Sequence, residues 1–317
     1  MVHGSGLPEG ARSWREILSA VLYLTMILMT PLAVWAQDQD AAEGSAVEAE
    51  HAQRRLAFMN KAMARNELTI RGEKDVPSQL IPAPLLRWST VQGNVKDGTV
   101  YGFSRGGRPD VLMQFAMHRE NFYVQEFTAI CEHPISMKRD GREFWRYDNP
   151  SIEFKTLADV KPPLELEAPR TAQLRQLAES FEIQIDHGSK NFVRMKLRLL
   201  RQPLLRYQDA DNGIIDGAVF GFVVETDPEA ILLLEAYQSD SGPQWRYACA
   251  EMTINALQVT RDGKMVWEKP DIRIFCQSFV NHYTCPYRPV SDDVSLEGVF
   301  AKAASVKPAS PQPTPAK

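Results

Sequence analysis

Pro84-Leu85-Leu86-Arg87-Trp88 recurs 119 residues later as Pro203-Leu204-Leu205-Arg206-Tyr207. At the same offset Asp97-Gly98-Thr99-Val100-Tyr101-Gly102-Phe103 meets Asp216-Gly217-Ala218-Val219-Phe220-Gly221-Phe222, and Pro109 meets Pro228. After a small gap the correspondence resumes at an offset of 122, with Arg139-Asp140-Gly141 and Trp145 against Arg261-Asp262-Gly263 and Trp267. Self-similarity at a fixed spacing predicts one supersecondary unit used twice.

Working outward, the period inside each copy is two. Tyr101 and Phe103 point to one side of a strand and Val100 and Gly102 to the other, as Phe220 and Phe222 oppose Val219 and Gly221. The paired glycines 102 and 221 leave room for an aromatic or a helix close above the sheet. Ile231 to Leu234 is apolar on both faces, which suits a central, doubly covered strand. Asp-Gly at 97, 140, 216 and 262 sits between apolar runs and reads as four hairpin turns. Helical spacing precedes each meander: Leu56, Met59 and Met63 in His51 to Arg65, and Leu174, Leu177 and Phe181 in Pro169 to Glu182. The fold class is therefore read as α+β, two tandem related units that each pack a helix on an antiparallel β-meander sheet. An all-β sandwich is the alternative.

Arg12 and Arg15, the apolar run Ile17 to Met29 and the small residues Val34 and Ala36 describe a signal peptide cleaved after Ala36. An uncleaved anchor over residues 17–36 is the competing reading, since the stretch approaches the ~20 residues needed to span a bilayer. The organisation expected is a signal peptide 1–36, a disordered linker 37–50, a first unit 51–160, a Pro-rich join 161–168, a second unit 169–290 and a disordered tail 291–317. A net charge of -4 gives no global attraction to nucleic acid, and membrane contact is expected only if the leader stays.

Leu197 to Leu200 with Gln202-Pro203-Leu204-Leu205-Arg206-Tyr207, then Asp216 to Phe220 and Thr226-Asp227-Pro228-Glu229, resembles a family of secreted planctomycete proteins of unknown function. Leu86-Arg87-Trp88-Ser89, Asp97-Gly98 and Gly107-Arg108-Pro109 resemble the first half of that family. The resemblance spans about residues 50 to 290 and implies export and a two-part architecture, with no activity and no site attached.

Chemistry is sparse. Gly-x-Ser-x-Gly, His-Glu-x-x-His and a phosphate-cradling glycine loop are all missing. His118, Glu126, Glu143 and Glu235 read as polar groups on strand faces. Asp209, Asp211, Asn212 and Asp216 crowd one loop but lack calcium-loop spacing. His133 beside Cys131, and His282 between Cys276 and Cys285, lack a usual zinc-finger spacing. Cys276 and Cys285 are the candidate disulfide for an exported chain, while Cys131 and Cys249 read as buried thiols, with a bridge between them as the alternative. Arg105 to Arg108 is matched by Glu225-Thr226-Asp227, and this inversion of sign marks both as hairpin ends. No catalytic residue, cofactor or metal is assigned. Arg87, Trp88, Arg206 and Tyr207 stand out as a repeated pair, read first as core aromatics with strand-bridging arginines and second as a ligand platform. The expected function is an exported non-enzymatic binding or envelope-associated structural module, its partner an unknown ligand or envelope component. The alternative is an exported hydrolase with its site in the cleft between the two units.

Overall fold

The computed structural model describes residues 46–91, 93–118, 122–186, 194–271, 282–284 and 287–289. The chain divides into two compact units, Met1–Arg54 and Arg55–Lys317. The first is described only where residues 46–54 begin a helix, α1 (46–63); all further features belong to the second. The leader over 1–36 and the candidate disulfide Cys276/Cys285 lie outside the described residues. Among the described residues no helix is long and apolar enough to cross a membrane.

After α1 come β1 (Asn66–Ile70), β2 (Val76–Leu80), β3 (Leu86–Thr90), β4 (Val95–Ser104), β5 (Pro109–His118), β6 (Phe122–Ala129), β7 (Ile135–Arg139), β8 (Arg142–Tyr147) and β9 (Lys155–Thr156). Then follow α2 (Glu167–Glu179), β10 (Phe181–Asp186), β11 (Met195–Lys196), β12 (Arg198–Leu199), β13 (Leu205–Asp209), β14 (Ile214–Val224), β15 (Asp227–Ser239), β16 (Gly242–Glu251), β17 (Ala256–Arg261), β18 (Lys264–Lys269), β19 (Tyr283–Thr284) and β20 (Tyr287–Pro289).

The α+β reading, with two helix-on-sheet units, is corrected by this architecture. Strand takes 54% of the described residues and helix 16%, in a nearly closed antiparallel barrel, so the all-β alternative fits. A ten-stranded sheet runs β19-β6-β5-β4-β2-β1-β7-β8, with β20 beside β6 and β3 beside β4. A four-stranded sheet runs β11-β10-β17-β18, and a six-stranded one β12-β14-β15-β16-β9 with β13 beside β14. Helical spacing in sequence locates the helices but does not weigh them against twenty strands. It also overran: Phe181, placed in a helix by its spacing, opens β10.

The two meanders β3 to β6 and β13 to β16 follow the same path. The pairing of β3 with β4 breaks between Trp88 and Thr90, and that of β13 with β14 between Tyr207 and Asp209, each 119 residues on. The β4–β5 ladder shifts at Val95/Asp97 and Phe103/Ser104, and the β14–β15 ladder at Ile214/Asp216 and Phe222/Val223. Alternation then sorts side chains into three apolar layers. Tyr101, Phe103, Met113 and Phe115 join Met59 and Met63 of α1 in one. Ala218, Phe220, Leu232 and Leu234 join Leu174 and Ala178 of α2 in another. Val100, Leu112 and Ile130 meet Val219, Ile231 and Leu233 in a third layer that both meanders share.

Two of the four Asp-Gly pairs turn hairpins as their sequence suggests: Asp140 and Gly141, and Asp262 and Gly263, all take positive φ. The other two are corrections, because Asp97-Gly98 lies inside β4 and Asp216-Gly217 inside β14. The role given to Gly102 and Gly221 also moves. Their near neighbours are aliphatic, Ile81 and Leu85 in one case and Leu200 and Leu204 in the other. The aromatics lie on Gly98 and Gly217 instead, where an added Cβ would stand 2.3 Å from Trp88 and 2.3 Å from Tyr207.

Candidate functional site

Adjacent strand residues point to opposite faces, and this separates the repeated pair. Trp88 and Tyr207 turn into the shared layer, 4% and 7% exposed. Arg87 and Arg206 turn toward the helices. The four residues therefore form no common platform; they serve packing on one face and charge pairing on the other.

On the helix face each meander carries an aspartate held by two arginines. Arg87 donates to Asp97 through Nε at 2.8 Å and Nη2 at 2.6 Å, and Arg55 of α1 donates to the same carboxylate at 2.9 Å. In the second meander Arg206 Nη2 reaches both oxygens of Asp216, at 2.8 and 2.6 Å, and Arg170 of α2 donates at 2.8 Å. A guanidinium fork suits this two-point grip on a carboxylate. Both aspartates are almost fully buried, so each helix is tied to its sheet by charges that water does not screen.

The shared clamp puts the helices in register, Arg55 against Arg170, and makes the two seats comparable residue by residue. In the first, Met59 and Met63 are fully buried, and Phe58 meets Phe115 edge-on at 6.0 Å. Tyr101 closes the seat by donating its hydroxyl to Oδ1 of Asn60 at 2.6 Å. In the second, Leu174 and Ala178 replace the methionines, Gln173 replaces Phe58, Phe220 replaces Tyr101 and Arg175 replaces Asn60. Phe220 has no hydroxyl to donate. Arg175 instead donates to the carbonyl of Arg201.

A groove of about 500 Å³ opens in that place between α2 and the β13–β14 side, over Leu174, Ala218 and Phe220, with Arg175 and Arg206 at its rim. An adjoining hollow of about 540 Å³ shares Arg175, Glu179, Arg201 and Phe220 and continues along Leu199 and Leu200. Such volumes are those of small-molecule sites. The chain matches no protein-family model, no curated protein and no solved structure.

The hairpin ends are more than turns. Arg108, before β5, reaches across to the second meander, 3.5 Å from Glu235, and donates to Glu132 at 2.9 Å. Burial alone would lower its pKa, but Glu235 and Glu132 carry it upward. Glu235 is fully buried and also accepts from Tyr207 at 2.8 Å and from Arg246 at 2.7 Å. Burial, then the Glu235 charge, holds the Tyr207 phenol well above its ordinary range. The guanidiniums of Arg108 and Arg246 both lie over Phe154, at 5.0 and 4.2 Å from its ring centre.

At the other end Asp227 reaches the first meander and accepts from Gln114 at 2.9 Å. No cation answers it there among the described residues. Burial, then the charges of Glu229 and Glu126, push its pKa well up. Burial raises Glu229 to about 7. Glu251, equally buried, goes the other way: the His282 hydrogen bond at 2.8 Å and the charge behind it outweigh burial and lower its pKa.

The remaining sequence candidates scatter. Glu143 pairs with Ser136 and Arg146 on β8, and Arg105 grips Asp110. Asp209 caps a short turn through Asn212, whereas Asp216 belongs to the clamp. His118 ends β5, Glu126 on β6 adds its charge to that felt by Asp227, and Glu143 lies on β8 with Ser136 and Arg146 as its partners. Cys131 and Cys249 are free and buried in opposite layers, burial lifting their thiols to about 11 and about 12. Arg55, Arg170, Arg175 and Arg201 were not singled out by sequence, and Asp227 was read only as part of a hairpin end. One signal was present: Arg55, Met59 and Met63 share their four-residue spacing with Arg170, Leu174 and Ala178.

Proposed function

We propose that the protein is an exported, non-enzymatic binding module, built on a duplicated β-meander, whose ligand lies in the groove beside α2. The observation that carries this reading is the contrast between two equivalent helix seats. In one, Tyr101 is bonded to Asn60 across the seat; in the other, a groove of about 500 Å³ lies over Phe220. Duplication is supported by ladder shifts 119 residues apart and by the twin clamps on Asp97 and Asp216. Export rests on the charged and apolar pattern of residues 1–36. A hydrolytic site in a cleft between the meanders is disfavoured, because Val100, Leu112 and Ile130 pack against Val219, Ile231 and Leu233 where that cleft would be.

A thermal-shift screen of small molecules on the full chain, repeated on the double variant Phe220→Tyr/Arg175→Asn, tests the proposal. Compounds that raise the melting temperature of the natural sequence and not of the variant are the expected result. A screen in which every stabilising compound acts equally on both, or measurable turnover of ester, glycoside or peptide substrates, contradicts it.

A further inference from the structure

We infer that the groove takes an acidic oligosaccharide, a short chain of sugar rings bearing carboxylates, an inference that rests on the binding role proposed above. The floor offers a ligand little apolar surface, because Leu174, Ala218 and Phe220 are all buried. What a ligand meets is the polar lining: Arg175, Gln176, Glu179, Arg201, Gln202 and Arg206. Recognition therefore goes through hydrogen bonds and charge rather than through apolar burial. The amides of Gln176 and Gln202 are exposed and have no side-chain partner among the described residues. Each amide carries both donors and an acceptor, the combination that the hydroxyls of a sugar answer. The adjoining hollow continues the groove along Leu199 and Leu200, which suits several linked rings better than one.

The arginines supply the sign, three of them against one lining acid, Glu179. Arg206 is engaged with Asp216 and Thr171, and Arg175 donates to the carbonyl of Arg201. The exposed Arg201 guanidinium has no partner among the described residues. It is the group that receives a sugar carboxylate, because a guanidinium fork matches two carboxylate oxygens. A nucleotide would carry the charge, but its base needs a ring face to lie on and Phe220 is covered. An acidic peptide would carry the charge without the hydroxyls, and it serves as the control.

Isothermal titration of the full chain with trigalacturonate, maltotriose and triglutamate separates the parts. Trigalacturonate is expected to bind one to one. Maltotriose, with rings and no carboxylates, and triglutamate, with carboxylates and no rings, are each expected to bind at least tenfold more weakly. Arg201→Gln, an exposed change that leaves the core alone, is expected to weaken trigalacturonate about tenfold, the loss of one charge-assisted contact. Glu179→Gln, which removes the like charge, is expected to strengthen it about twofold, a gain that damage to the fold cannot produce. If maltotriose equals trigalacturonate, or Arg201→Gln changes nothing, the carboxylate is overturned while the groove stands. If triglutamate equals it, the saccharide is overturned. If trigalacturonate fails on the natural sequence, the ligand class is overturned and the thermal-shift screen decides the groove separately. Undiminished trigalacturonate binding by a folded Phe220→Tyr/Arg175→Asn variant overturns both.

Discussion

The seats of α1 and α2 differ in what surrounds the same clamp. Each helix is fixed by one buried arginine on one buried aspartate, yet Phe58, Met63 and the Tyr101–Asn60 bond fill the first seat. In the second, a groove opens over Leu174, Ala218 and Phe220. A hollow of about 560 Å³ lined by Leu177, Trp245 and Arg261 flanks α2 as well. Charge pairing can hold an element in place while apolar filling is withdrawn from around it, and space for a ligand follows. On the proposed reading, stability and binding fall to different residues of one helix.

Removing either clamp carboxylate breaks the shared part of the comparison, and the largest effects are expected there. Asp97→Ala and Asp216→Ala each strand two guanidiniums, one deeply buried, and should cost ~3–5 kcal/mol in urea unfolding. Similar losses are the expected outcome, and a tolerated change in one half would show the clamps to be inequivalent. Next come the packed residues. Met59→Ala should fall at the upper end and Leu174→Ala at the lower end of ~2–5 kcal/mol, because the site beside an open groove collapses more readily.

A smaller effect separates the hairpin ends. Glu229 titrates near 7 in the folded chain against an ordinary value of 4.5, so the folded state holds more protons between those pH values. Stability must fall as pH rises through that window. His282 acts in the same sense: burial opposes its charge, but Glu251 raises its pKa, and that support is lost as pH rises above the ordinary 6.5. Glu251 works at the acid side, its contribution present above 4.5 and lost as pH falls. Denaturation curves should therefore show a decline on the order of 2 kcal/mol from pH 5 to pH 8, reduced in Glu229→Gln. An unchanged slope in that variant would move the titration elsewhere. The smallest change, Tyr101→Phe, should cost ~0.5–1.5 kcal/mol, the net worth of one hydrogen bond. Phe220→Tyr alone should gain nothing, because Arg175 offers its hydroxyl no acceptor.

Strand periodicity, the central place of Ile231 to Leu234 and the matched Arg87 and Arg206 could all be read from residue order, because they are local or recur at one offset. Asp97-Gly98 could not. The same dipeptide turns a hairpin at 140 and lies in mid-strand at 97; each aspartate is held by an arginine far along the chain, Arg65 and Arg55, but Asp97 is buried and Gly98 lies under Trp88. Arg170 escaped because helices and strands recur at different offsets, 115 and 119, a slip of about one helical turn. The groove escaped for a related reason: Phe220 in the place of Tyr101 and Arg175 in the place of Asn60 matter only once both helices are laid on their sheets. The aromatic partners of the repeated arginines were legible as core residues, and Gly98 and Gly217 show what they pack on.

Amide hydrogen exchange of the full chain, alone and with a compound that stabilises it in the thermal-shift screen, tests the contrast between the seats most directly. Without ligand, residues 167–179 of α2 should exchange faster than residues 55–63 of α1, because open hollows flank α2. With that compound bound, protection should rise over 167–179, 199–206 and 218–220 and stay unchanged over 55–63. Equal exchange of the two helices, or protection that appears around α1 instead, would contradict the account.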